Sequence, residues 1–206
     1  MLDMDSTLIQ QEVINLLGQA AGATNEIAAI TEKTMAGELE FKTALIQRVS
    51  LFKGLDHNIL NQIQKQITLT KGAKRLVDEL HQQGHKVGVV SGGFIEIIEP
   101  ILKSLEIDFY RANKLKIEDG FLTGELDGPL IDGLAKKVAL EEFANQEKVS
   151  LEQTVAIGDG ANDLEMIKTA GLGIAFNAKP KVAAAADTTI SNQDLSTVLL
   201  LMGISI

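Results

Sequence analysis

The chain has 206 residues, 45% hydrophobic and 23% charged, enough for one domain with a real core or a domain carrying an insertion. A net charge of -9 excludes the basic stripe that a nucleic-acid backbone demands. The absence of cysteine excludes disulfides, zinc–thiolate sites and a thiol nucleophile.

The opening "MLDMDSTLIQQE" sets Asp3 and Asp5 two residues apart, on the same side of the chain if it is a strand. Paired carboxylates repel, and a cation or a shared proton is the usual remedy. A turn opened by Asp-Ser-Thr is the plainer alternative. No basic and apolar leader precedes them, so the expected compartment is the cytoplasm. Between about 15 and 71, "EIAAITEKTMAGELEFKTALIQRVSLFKG" and "NILNQIQKQI" read as helices, punctuated by Gly37 and Gly54. That stretch predicts a small helical cap, with the core formed by 1–14 and 72–206.

From Gly72 the pattern alternates. "GAKRLVDELHQQGH" predicts a helix, "KVGVVSGGF" a strand closing on glycines, and "FIEIIEPILKSL" a helix kinked or divided at Pro100. "KLKIEDGFLTGELDGP" predicts a tight hairpin at Asp119-Gly120, read as an antiparallel excursion on the sheet. "AKKVALEEFANQEK" is a helix, "TVAIGDGANDLEMIKTAG" a strand, loop and helix, and "LGIAF" and "DTTI" are short strands. The final run "LSTVLLLMGISI" is too short to cross a bilayer and predicts a helix covering the core. Apolar strands alternating with amphipathic helices predict an α/β fold, a doubly wound parallel sheet.

Ligands in such folds sit beyond the carboxyl ends of the strands. Three polar stretches fall there. "DMDST" and "GDGANDLEM" supply Asp3, Asp5, Asp159 and Asp163, an oxygen-rich set suited to magnesium. "SGG" offers Ser91 and backbone N–H groups at a helix start, an anion cradle. Lys136 or Lys137 adds a positive charge. Each piece has an ordinary explanation as a turn, a cap or a surface lysine. Together they supply a carboxylate nucleophile, a cation site and a phosphate cradle, the needs of phosphoryl transfer.

In that order, "DMDST", "VVSGGF", the helical lysine and "GDGANDLEM" resemble the four motifs of the haloacid dehalogenase (HAD) superfamily. The resemblance is closest to its phosphoserine phosphatases and spans nearly the whole chain. It implies a Rossmann-like core, and a magnesium-dependent hydrolysis of O-phospho-L-serine through an aspartyl-phosphate on Asp3. Asp5 would be general acid and then base. Magnesium would sit on Asp3, the Asp5 backbone carbonyl and Asp159, with Asp163 in support. Ser91, Gly92 and Lys136 would hold the phosphoryl oxygens, with Asn162 nearby. Lys136 is preferred to Lys137 on its spacing to "VALEEFA". Glu12 would bind the substrate ammonium and Arg48 its carboxylate, with Met35 and Phe41 closing over it.

The expected partner is thus this small molecule, with no nucleic acid and no membrane, in a monomer or homodimer. The resemblance also leaves rivals: transfer to an acceptor such as homoserine, another phosphomonoester, or a non-catalytic phosphoserine binder. One departure stands out. Relatives carry a full apolar strand before the first aspartate, whereas only Met1 and Leu2 precede Asp3 here. A start further upstream, a trimmed chain and a sheet that tolerates a stub are the three alternatives.

Overall fold

The computed structural model describes residues 1–204. Met1–Asp3 lie in the middle of a parallel sheet, as a short stub bridged on both sides through Leu2. On one side the Leu2 N–H donates to the Gly88 carbonyl at 2.8 Å, and the Val90 N–H donates to the Leu2 carbonyl at 3.0 Å. On the other, the Asp3 N–H donates to Ile157 at 2.9 Å, and the Ile157 N–H donates to Met1 at 3.0 Å. The terminal amino group donates to the Val155 carbonyl at 2.8 Å. Backbone pairing thus delivers Asp3 to the carboxyl end of the sheet.

Ser6 then takes a left-handed conformation (φ 56°) that turns the chain away from the sheet. Helices α1 (Val13–Ala20), α2 (Thr24–Met35), α3 (Phe41–Ser50), α4 (Ile59–Gln64) and α5 (Ala73–Gln82) follow. Next come β1 (Gly88–Phe94), α6 (Ile95–Ser104), β2 (Phe109–Asn113), β3 (Leu115–Glu118) and β4 (Phe121–Leu126). Then α7 (Gly133–Glu147), β5 (Val155–Gly158), α8 (Leu164–Thr169) and β6 (Leu172–Phe176) are followed by α9 (Pro180–Ala183), β7 (Thr188–Ile190) and α10 (Thr197–Leu201). The main sheet runs β2, β1, stub, β5, β6, β7, with every pairing parallel.

The strands bury both faces. Val89, Ile157 and Ile174 join the larger apolar cluster, with residues of α1, α5, α6 and α10. Their neighbours Val90, Ala156 and Ala175 point the other way, into a second cluster with α7, α8 and α9. This alternation is why the strands read as continuous apolar runs.

Several details differ from the sequence reading. The β3–β4 hairpin is a separate sheet and no extension of the main one. It pairs with the chain after α3: Gly54 donates to the Leu122 carbonyl at 2.8 Å, and Leu122 donates to Leu55 at 2.9 Å. The turn itself follows the Asp-Gly signal, with Asp119 and Gly120 both at positive φ. Helix α6 is not divided at Pro100; it runs unbroken, with Ile97, Ile98 and Leu102 buried. That packing outweighs the one backbone bond proline cannot donate. Helix α1 runs from Val13 to Ala20. Ahead of that helix, Ile9 forms an antiparallel bridge with Leu69. The terminal run forms only the short α10, with Val198 and Leu199 buried; its last two residues lie outside the described ones.

Leu2 is 2% exposed between two strands. Replacing it with alanine is expected to cost about 2–5 kcal/mol, a core cavity without easy collapse. Urea denaturation checks this; a loss below about 0.5 kcal/mol, the size of an ordinary surface change, would show that the stub carries no packing.

Candidate active site

The carboxyl ends of the stub, β1 and β5 meet the start of α7. Gly158 ends β5, and a Cβ there would lie 2.4 Å from the Asp163 Cγ. Only glycine lets that carboxylate settle onto the strand end. Asp163 is fully buried, and its Oδ2 accepts the N–H groups of Gly160 (2.9 Å) and Asp159 (3.2 Å). Its Oδ1 accepts from Lys136 Nζ at 2.7 Å, and the same ammonium donates to Asp3 Oδ1 at 2.5 Å. Lys136 is 0% exposed. Lys137, by contrast, is half-buried beside Glu141 on the outside of α7. Asp132 begins that helix by accepting from the Ala135 N–H at 2.9 Å. Thr7, fully buried, donates to Asp159 Oδ1 at 3.1 Å.

Crowding of like charge sets the proton affinities. Burial, then Asp163, raises the Asp3 pKa well above the usual carboxylate range, against the opposing pull of Lys136. Burial, Glu12 and Asp3 raise that of Asp5 likewise. Asp159 is raised to about 6 by burial, Asp163 and Glu12, with the Thr7 hydroxyl opposing. Burial works against the charge on Lys136, but Asp163 and Asp3 outweigh it and raise its pKa.

One carboxylate oxygen each from Asp3, Asp159 and Asp163 lies within 4.8 Å of the others. Three hard oxygen donors around a single ammonium retain negative charge, and this donor set fits a hard divalent cation. The Asp5 carboxylate is not part of that cluster. Its Oδ1 is buried without a hydrogen-bond partner, beside the others and free to handle a proton.

The anion cradle comes from a break in β1. Pairing with β2 shifts register between Ser91 and Phe94, so Gly92 and Gly93 bulge from the ladder. The Gly93 N–H turns back to Ser91 Oγ at 2.8 Å. A Cβ on Gly93 would lie 3.2 Å from Asp5 Oδ2, so the cradle abuts the acid. Asn162 packs its backbone against Gly133 at the start of α7, where a Cβ would come within 3.0 Å of its carbonyl oxygen.

The helical insertion sits over this cradle. A Cβ on Gly92 would lie 3.4 Å from Phe41 Cζ. Arg48 is buried, with Nε donating to the Ala44 carbonyl at 3.2 Å and one terminal nitrogen to Thr31 Oγ1 at 3.5 Å. Burial lowers its pKa while Glu12 opposes the shift, so the two charges feel each other. Glu12 is exposed and accepts from Ser6 Oγ at 2.6 Å. Met35 lies further out, 63% exposed, its sulfur 3.4 Å from Lys179 Nζ. A cavity of about 400 Å³ lined by Met1, Gly88, Phe109, Phe143 and Val155 lies at the opposite end of the strands and holds none of these groups.

Sequence reasoning assigned no role to Ser6, Thr7, Asp132 or Asn113. The first two were visible as hydroxyls after the aspartates and Asp132 as a helix-start residue; Asn113 gave no signal at all.

A family model for haloacid dehalogenase-like hydrolases matches residues 1–168. The chain belongs to that family. Among its relatives in this hydrolase family, the phosphoserine phosphatase of Streptococcus thermophilus is 50% identical over 198 residues, covering 96% of this chain and 92% of the relative. Phosphoserine phosphatase SerB2 of Mycobacterium tuberculosis is 48% identical over 203 residues, and the chain spans 50% of its length. A solved substrate-bound phosphoserine phosphatase complex superposes with a TM-score of 0.92 at 42% identity, over 99% of this chain and 96% of that one. Within the HAD hydrolases the chain falls among the phosphoserine phosphatases.

The raised pKa of Asp159 makes both stability and cation affinity depend on pH. The folded metal-free protein holds a proton that the unfolded chain releases near 3.8, so its contribution to stability is lost as pH rises to about 6. A bound cation competes with that proton. Affinity for magnesium as probe ion is therefore expected to rise with pH, the Asp159 proton contributing up to about tenfold per pH unit below pH 6. Calorimetric titrations check it; an affinity that falls with rising pH would contradict the arrangement.

Proposed function

We propose that this chain hydrolyses O-phospho-L-serine to L-serine and phosphate, with Asp3 as nucleophile and magnesium as cofactor. The observation that carries the reading is a single one. Asp3 accepts from a buried ammonium, and Asp5, with its unpartnered Oδ1, abuts the glycine turn at Gly93.

The chemistry follows from those positions. One Asp3 carboxylate oxygen attacks phosphorus, and the bond from phosphorus to the seryl oxygen breaks. That oxygen takes the proton of Asp5, whose raised pKa suits it to arrive protonated. Water then attacks the phosphorus of the aspartyl-phosphate. Asp5 takes the proton from the water, phosphate departs, and the Asp3 carboxylate is restored. Ser91, the Gly92 region and Lys136 supply donors and charge to the phosphoryl oxygens, with Asn162 at the rim. Asp3, Asp159 and the Asp5 backbone carbonyl, with Asp163 in support, would hold magnesium, which would supply positive charge to neutralise and orient the phosphoryl group.

Glu12 and Arg48 give the substrate's amino-acid end its partners, a carboxylate for the ammonium and a planar fork for the carboxylate. Phe41 and Met35 close over it. On this reading the chain performs the last step of serine biosynthesis, in the cytoplasm.

Asp3→Asn is expected to reduce phosphate release at least about a thousandfold, the scale of losing a covalent nucleophile. Near-normal turnover by the folded variant would overturn the assignment of Asp3. Arg48→Met is expected to raise KM for phosphoserine about tenfold to a hundredfold, the loss of a charge-assisted hydrogen bond. Steady-state kinetics check this, with p-nitrophenyl phosphate as a substrate lacking the amino-acid end. Equal losses on both substrates would contradict a role for Arg48 in recognising the amino acid.

A further inference from the structure

Asn113 ends β2, 1% exposed, with both polar atoms of its side chain engaged. Its Nδ2 donates to the Gly92 carbonyl at 2.8 Å. Its Oδ1 accepts the buried N–H of Ile131 at 2.8 Å. These two partners belong to different parts of the site. Gly92 is in the cradle, and Ile131 immediately precedes Asp132, which caps the helix carrying Lys136.

The need for such a side chain follows from the bulge. Ladder partners jump from Ser91–Ala112 to Phe94–Asn113, so Gly92 lies outside the backbone pairing of β1 with β2. The Asn113 amide supplies its carbonyl with a donor. The Ile131 N–H lies ahead of α7 and receives from the same amide the acceptor it needs. An amide is the side-chain group that offers a donor and an acceptor in fixed opposite directions. A hydrophobic residue at 113 would leave both backbone groups without these partners.

We propose that Asn113 is a positioning residue that holds the phosphate cradle and the Lys136 helix in one frame. It touches no reacting atom. It sets the distance between the cradle at Gly92–Gly93 and the ammonium that closes the phosphoryl pocket from the other side. The proposal rests on the site being a phosphomonoesterase centre, but not on which ester is cleaved. Inorganic phosphate, common to all such reactions, is therefore the probe.

The first measurement uses the wild-type chain with magnesium: amide hydrogen exchange with and without saturating inorganic phosphate. Phosphate is expected to slow exchange at Gly92 and Gly93 and also at Ile131, which lies on the far side of the Asn113 amide. Slowing at the glycines with Ile131 unchanged would overturn the proposal. The second uses Asn113→Asp, which keeps an acceptor for Ile131 but turns an oxygen toward the Gly92 carbonyl. With folding verified by circular dichroism, phosphate inhibition of the variant is expected to weaken about tenfold, roughly one hydrogen bond. The KM for phosphoserine is expected to rise by more than kcat falls. An unchanged inhibition constant, or a fall in kcat alone, would overturn the proposal. Phosphate coupling to Ile131 in a chain that does not cleave phosphoserine would sink the substrate reading and leave the positioning role of Asn113 standing. No phosphate binding at all would overturn both.

Discussion

A single buried ammonium keeps a cluster of carboxylates at the end of a sheet from flying apart. Lys136 lies between Asp3 and Asp163 with no exposure to water, and its charge is held by both. Without it, those two carboxylates would face each other, and Asp159, in a low-dielectric pocket. Removing one member of such a group leaves an uncompensated buried charge, which is far costlier than exchanging a surface pair. The position of α7 is therefore tied to the stub and to the loop after β5. The remaining negative charge raises the proton affinity of Asp3 and Asp159.

Around that ion pair the backbone does most of the aiming. Asp3 is placed by hydrogen bonds to strands on both sides of it, and its own side chain has no part in that. Asp163 is placed by two N–H groups and by the absence of a side chain at Gly158. The cradle is an interrupted ladder, with Gly93 against Asp5 and Gly92 against Phe41. A rigid apolar sheet supports a short polar rim, so small displacements at the rim are opposed by the core.

The helical insertion is held by contacts of another kind. Leu45, Val49 and Phe52 are continuous with the main apolar cluster, so the insertion is seated on the core as well as tethered to it. The hairpin braces it from the side through Gly54, Leu55 and His57. This seating brings Phe41 over Gly92 and puts Arg48 within electrostatic reach of Glu12.

The sequence by itself determined the alternating architecture, the Asp119-Gly120 turn and the four stretches that converge on the site. These are local signals: apolar periodicity, turn chemistry and residue types at strand ends survive in one dimension. Lys136 and Lys137 were separated only by a family resemblance, because adjacent helix positions differ by about 100° in direction and the fold decides which one faces inward. The hairpin's partner and the continuity of α6 through Pro100 were misread, since packing overrode local preference in each. Asn113 was invisible for a deeper reason. Its role depends on Gly92 and Ile131, 21 and 18 residues away, and on a bulge that exists only once β1 meets β2. Side-chain chemistry can be read along the chain, but the partner that gives it a task is chosen by tertiary contact.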